Sequence, residues 1–181
     1  MQWIQRLAFV LAIAVFGGAS FPTDAASKYK ACSLLTAPEI EAAVQAKVTG
    51  TTENDLIILE GSFKGETMSQ CTWAAGTGAA FVMVNILRGP RTPQERAEGL
   101  ALFRSTEEKL KKQGWTAQEV SIAGVTCSTL KPPATVANAY AAAACGLESK
   151  GLAFAVSIAS PSNPTAEQAK ALADKVATRL P

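Results

Sequence analysis

Apolar and polar positions along the chain follow two rhythms, one helical and one of strands. Three stretches carry apolar residues at helical spacing, and each opens on the same chemistry. Thr36-Ala37-Pro38-Glu39, Thr92-Pro93-Gln94-Glu95 and Thr165-Ala166-Glu167-Gln168 all read T-x-x-E/Q. A Thr at the cap accepts a hydrogen bond from an early helical N–H. The Glu or Gln three residues later accepts one from the cap's own N–H. The first helix is predicted over 37–48, with Ile40, Ala43, Val44 and Val48 on one face and Gly50 just beyond its end. The second is predicted over 93–113. Pro93 suits its first position, and Leu100, Phe103 and Leu110 form its buried stripe. Glu95 and Glu98 open this helix, Lys111 and Lys112 close it, and Gly114 stops it. Glu107/Lys111 and Glu108/Lys112 stand in the favourable order for i,i+4 pairs. The third helix is predicted over 166–179, with Ala169, Leu172, Ala173, Val176 and Leu180 on one stripe.

Strand patterns fill the spaces between the helices. They cover 56–60, 71–75, 80–87, 119–122, 125–130, 139–147 and 152–159. The run Ala80–Leu87 (AFVMVNIL) is almost continuously apolar, so it must be central or covered on both faces. Gly76-Thr77-Gly78 and Ser149-Lys150-Gly151 are turns, and Pro161 and Pro164 end the last strand. Residues 119–130 read either as one strand bent at Gly124 or as two. The expected fold is α+β, an antiparallel meander-rich sheet flanked by helices in the order α-βββ-α-βββ-α. Thr36 to Cys71 and Thr92 to Cys127 span the same length. That echo is either a relic duplication of an α-plus-hairpin unit or coincidence.

The N-terminus follows neither rhythm. Arg6 precedes the apolar run Leu7–Ala19, about 13 residues, where a membrane span needs about 20. Small residues follow at Thr23-Asp24-Ala25-Ala26. This is the pattern of an export signal over 1–26, cleaved after Ala25, with an uncleaved anchor as the alternative. Cys32 follows Lys28-Tyr29-Lys30-Ala31, which is no lipoprotein cleavage box. Residues 27–181 then form a single domain of roughly 155 residues with no stable membrane insertion, periplasmic or secreted.

All four cysteines, Cys32, Cys71, Cys127 and Cys145, lie beyond the signal. An even count in an oxidising compartment reads as two disulfides. Of the three connectivities we expect Cys127–Cys145 and Cys32–Cys71. The first pair brackets a Pro-Pro loop, so its cysteines can face each other across a hairpin. The second would pin the N-terminus to a strand. The absence of any C-x-x-C spacing argues against zinc or thiol redox chemistry.

Composition narrows the chemistry. The chain has 181 residues, 17 Lys+Arg against 15 Asp+Glu, and no His. Without His there is no Ser-His-Asp triad, Cys-His dyad or His metal ligand. A net charge of +2, evenly spread, does not suit nucleic acid. Gly76-Thr77-Gly78 lacks the helix that a phosphate loop needs. Ser27-Lys28-Tyr29-Lys30 matches S-x-x-K formally, but no K-T-G accompanies it. Glu39 and Glu95 are accounted for by capping. Asp55, Glu60 and Glu66 surround one loop without calcium-loop spacing. Trp73 and Trp115 read as sheet and helix-end residues, with a ligand groove as the alternative. Arg88-Gly89-Pro90-Arg91 is a rigid loop with two guanidiniums that can hold an anion or a partner's carboxylate. Trp73, Arg88 and Arg91 are thus the candidate partner-binding residues. The loops 61–69 and 132–138 are the irregular stretches where gripping is expected.

Cys32-Ser33-Leu34-Leu35-Thr36 followed by Glu39-Ile40, with Cys71-Thr72-Trp73 later, resembles the C-x-L-L-T-x-x-E opening of small exported actinobacterial proteins of unknown function. The missing lipobox and the second Cys pair depart from that pattern. Residues 92–180, ending AFAVSIASP…AEQAKALADKVATRL, are similar in layout to the PsbP/DcrB-like periplasmic fold. Neither group carries over catalytic residues. Both imply binding or accessory work in the cell envelope, with no cofactor or catalytic site and with an unknown protein or small ligand as partner. A secreted inhibitor or immunity protein that blocks a partner enzyme is the alternative. An unusual hydrolase built on Ser/Lys or carboxylates ranks below both. The cysteine reading makes a direct prediction: the intact mass of the purified protein, measured without reductant, should leave no thiol for alkylation.

Overall fold

The computed structural model describes residues 29–59, 61–77, 79–136 and 139–181, apart from the side chains at 99, 100, 102 and 103. Residues 1–26 with the export-signal pattern, Ser27-Lys28, Glu60, Gly78 and the side chains of Leu100 and Phe103 fall outside the described residues. The chain forms a 3-10 turn at Ala31–Ser33, then α1 (Ala37–Val44). A meander follows, of β1 (Val48–Ile57), β2 (Thr67–Ala75) and β3 (Ala80–Arg88). Helix α2 (Pro93–Lys112) leads to a second meander, of β4 (Thr116–Ile122), β5 (Val125–Lys131), β6 (Ala141–Ser149) and β7 (Leu152–Ser160). Helix α3 (Ala166–Arg179) ends the fold.

The strands make one seven-stranded antiparallel sheet in the order β1-β2-β3-β7-β6-β5-β4. The expected α+β class, antiparallel sheet and both disulfides are present. The second meander has four strands rather than three. Ala123 and Gly124 both take positive φ, 49° and 79°, and Ile122 faces Val125. That is a two-residue type I′ hairpin, which turns 119–130 into two strands. Helix α1 is also shorter than its apolar spacing suggested. It stops at Val44, Gln45 turns left-handed at φ 54°, and Val48 starts β1. Val48, Thr49, Thr51 and Thr52 are β-branched, and their strand pairing with β2 outweighs helical continuation.

Strand alternation divides the core in two. One face carries Cys71, Trp73, Val84, Cys145, Val156 and Ile158 in the main cluster. Helix α3 lies on this face with Ala169, Leu172, Ala173 and Val176 buried, and α1 contributes Ile40. The other face is more polar and holds two smaller clusters. Leu56, Ile58, Phe63, Met68 and Leu87 form one, and Leu110, Trp115, Leu130 and Ala142 the other. Between them Gln70 and Asn85, each 4% exposed, face each other across β2 and β3. Gln70 Nε2 donates to Asn85 Oδ1 at 2.8 Å, which satisfies both buried amides there.

Helix α2 crosses this second face from the centre of the sheet to the β4 edge. Its 20 residues extend about 30 Å, more than the roughly 19 Å needed to pass four strand spacings. Helices α1 and α2 therefore pack on opposite faces, and a duplicated α-plus-hairpin unit would place both on the same one. The Thr-to-Cys echo does not extend to the packing. No helix among the described residues is long and apolar enough to cross a membrane.

Both disulfides lie on the main-core face. Cys127 and Cys145 are directly opposed on β5 and β6, with Cα atoms 4.1 Å apart. Cys32–Cys71 ties the 3-10 turn to β2. No described cysteine is free, and two closed disulfides fit a protein that works outside the cytoplasm. The closed loops, spanning 18 and 39 residues, are each worth roughly 3–4 kcal/mol in the chain-entropy model. Reduction should lower the melting temperature markedly by circular dichroism. Leu172→Ala, at a site 2% exposed, should cost about 2–5 kcal/mol in denaturant titration.

Candidate functional site

Beyond β3 the chain enters Arg88-Gly89-Pro90-Arg91 and then α2. Thr92 caps this helix by accepting from Glu95 N–H at 3.1 Å. The full reciprocal box forms at α3, where Gln168 Oε1 accepts from Thr165 N–H at 2.8 Å. At α1, Glu39 Oε2 accepts from Thr36 N–H at 2.9 Å. Glu95 is turned only weakly to the Thr92 N–H it was expected to cap. Its carboxylate turns to Arg88, accepting from Nη1 and Nη2 at 3.0 and 2.9 Å, and also accepts from Arg91 N–H. A guanidinium fork within reach is a stronger partner than one cap N–H.

Arg88 is thereby the centre of a network. Its Nε donates to Glu66 Oε1 at 2.5 Å, and its Nη1 also reaches the Gly89 carbonyl at 3.2 Å. The guanidinium stands 4.7 Å from the centroid of the Phe63 ring, a cation–π arrangement. Its side chain is 13% exposed and that of Glu95 14%. Arg88 donates to Glu95 and holds its carboxyl down at about 2, with help from the Arg91 N–H. Glu95 first and Glu66 second push Arg88 further up. The loop 61–66 is anchored by the same group. Ser62 Oγ and N–H both donate to Glu98 Oε2, which lowers the Glu98 carboxyl. Arg96 pairs with Glu148 at 2.5 Å. The first two turns of α2 are thus tied down by charge.

Beside this network lies an open depression of about 510 Å³. Arg88, Gly89, Pro90 and Arg91 form one wall. The β6–β7 turn, Glu148 to Leu152, forms the other, with Tyr29 at its side. Lys150 and Gly151 take positive φ, 52° and 75°, as a type I′ turn requires. The two walls are latched together, because Gly89 N–H donates to the Gly151 carbonyl at 2.8 Å. A Cβ at position 89 would stand 3.0 Å from that oxygen, so any larger residue would have to push the Gly151 backbone back by a few tenths of an ångström. Lys150 Nζ reaches across to the Leu180 carbonyl at 2.6 Å, where α3 ends.

Of the three candidate binding residues, Arg88 and Arg91 come together here. Trp73 does not. It is 3% exposed and packed in the main core, so it cannot receive a partner in this fold. Trp115, 7% exposed, covers the end of α2 through Leu110. Of the two loops expected to grip a ligand, 61–69 is engaged within the fold, with 61–66 tied to Arg88 and α2 and 67–69 part of β2, while 132–136 lies outside the depression and 137–138 outside the described residues. Lys150, Gly151 and Tyr29 were missed as site residues. Their one visible signal was the Lys-Gly turn, which says nothing about its neighbour in space.

Glu107 stands apart. Burial pushes its carboxyl up and Glu119 adds to this, while Lys111 and Arg104 oppose it. The spacing pairs Glu107/Lys111 and Glu108/Lys112 do not close into ion pairs among the described residues. Glu107 lies about 18 Å along the helix from Glu95, away from the depression. Among the described residues no cluster of three Cys, Asp or Glu side chains could hold a metal ion. No family model matches the chain, nor does any curated protein or solved structure.

The paired carboxylates make stability depend on pH. Arg179 chiefly holds the Glu39 carboxyl well below its ordinary value of 4.5, and Arg88 does the same for Glu95. A carboxyl that is more acidic when folded leaves the unfolded chain binding more protons, so folding loses stability as pH falls. The contribution is complete above about pH 4.5 and declines toward about pH 2. Thermal melts should show that decline, and Glu95→Gln should flatten part of it. Separately, Gly89→Ala should cost about 1–3 kcal/mol in denaturant titration, since the new methyl presses on the Gly151 backbone, which has to shift to admit it.

Proposed function

We propose that this is a non-catalytic exported binding or accessory protein of the cell envelope, working in the periplasm or after secretion. The observation that carries the reading is the pair of disulfides, Cys32–Cys71 and Cys127–Cys145. Such bonds persist in oxidising compartments. Here they fasten the sheet and its N-terminal approach into a rigid frame. The export-signal pattern at 1–26 and the C-x-L-L-T-x-x-E opening point the same way. The depression supports binding rather than turnover. Its walls offer guanidinium, ammonium, phenol and backbone groups that suit holding a charged partner.

Fractionation of expressing cells should recover the processed chain outside the cytosol with every cysteine paired. A hydrolase screen on that material should find no turnover. Recovery of a reduced, unprocessed chain from the cytosol would overturn the proposal, as would an activity abolished by one point substitution. Stoichiometric capture of an enzyme that loses activity in the complex would assign the inhibitor role instead.

A further inference from the structure

We infer that the depression between the Arg88–Arg91 loop and the β6–β7 turn is a binding site for a small organic anion, with Arg91 and Lys150 as its cationic contacts. This rests on the binding-protein reading and names the ligand class.

Charge is the first support. The walls carry three cations, Arg88, Arg91 and Lys150, against one carboxylate, Glu148. Arg96 already engages Glu148 at 2.5 Å. Arg88 is fixed by Glu66 and Glu95, so it acts as a positioning residue. The exposed Arg91 guanidinium forms no ion pair among the described residues. Lys150 spends one N–H on the Leu180 carbonyl, and an ammonium has two more to donate. A guanidinium fork beside an ammonium suits a carboxylate or a phosphate monoester.

Shape and rigidity are the second and third supports. A volume of about 510 Å³ is far more than a bare oxyanion fills, and it lies in the usual range for small-molecule sites. Tyr29 and Pro90 give apolar wall against which a hydrocarbon body can pack. The Gly89–Gly151 hydrogen bond holds the two walls at one separation, and Pro90 fixes the backbone between the arginines. Little conformational entropy is then lost when the anion binds.

The test is an amide NMR titration of the purified, isotopically labelled protein with benzoate, phenyl phosphate and inorganic phosphate. Saturable shifts are expected at 88–91 and 149–152 with benzoate or phenyl phosphate, and the stronger of the two identifies the head group. Arg91→Ala and Lys150→Ala should each weaken binding about tenfold, as loss of a charge-assisted contact does. Lys131→Ala, outside the depression, should leave it unchanged. The same spectra report whether each variant is folded, and Arg91→Gln replaces Arg91→Ala if the latter is not. Scattered or absent shifts would overturn the site, as would an unaltered affinity in both the Arg91 and the Lys150 variants. An equal response to inorganic phosphate would overturn the organic-anion assignment. A protein inert to all three probes that still captures a stoichiometric envelope partner loses this site and keeps the broader reading.

Discussion

The pairing of β3 with β7 is the constraint on which the rest of the molecule depends. It runs without a break from Phe81 opposite Ala159 to Arg88 opposite Leu152. These strands are distant in sequence, so closing the sheet costs chain entropy before it gains contact energy. The gain comes from strands built for burial. Val82, Val84, Val156 and Ile158 are each at most 1% exposed. From this pair β2 and β1 extend outward on one side, and β6, β5 and β4 on the other. The two meanders then behave as wings of one sheet, with the polar strands β1 and β4 left at its edges.

The two faces of that sheet are stabilised by different physics. The main-core face uses burial, from the apolar stripe of α3 to the side chains beneath it, and both disulfides lie there. Cys145 Sγ rests 3.6 Å from the Ala166 carbonyl in the first turn of α3. Covalent cross-link and helix docking therefore reinforce each other at one place. Glu39 adds a further tie on this side, receiving Arg179 at 2.7 and 2.8 Å and so joining the start of α1 to the end of α3.

The second face has less apolar area and relies on charge. The start of α2 is held by Glu95, Arg96 and Glu98, and its far end by Leu110 and Trp115. Of these contacts the sheltered Arg88–Glu95 pair is the least screened by water, and the exposed Arg96–Glu148 pair the most. The depression opens where this charged attachment meets the Gly89–Gly151 backbone latch. Carboxylates fix Arg88, the strand end fixes the loop backbone, and the Leu180 carbonyl holds the Lys150 ammonium.

Much of the architecture was legible in local sequence, because caps, turns and amphipathic stripes act over a few residues. The third helix matched its stripe, the hairpin at Lys150-Gly151 formed, and the two cysteine pairs followed from where turns and termini lay. The start of β1 was not legible. An edge strand exposes polar groups, and Val48–Thr52 shows no period-two apolar pattern. The site was half legible. Arg88 and Arg91 stood out as a rigid charged pair, whereas Trp73, equally prominent as a residue type, went into the core. Sequence by itself determined the helix starts, most of the strands and turns, and which chemistries the missing histidine forbids. Tertiary structure alone decided that Glu95 gives its carboxylate to Arg88, and that Lys150 and Arg91 line one depression. Those are contacts between distant segments, set by how β3 and β7 align, and no local pattern encodes the partner on the other side.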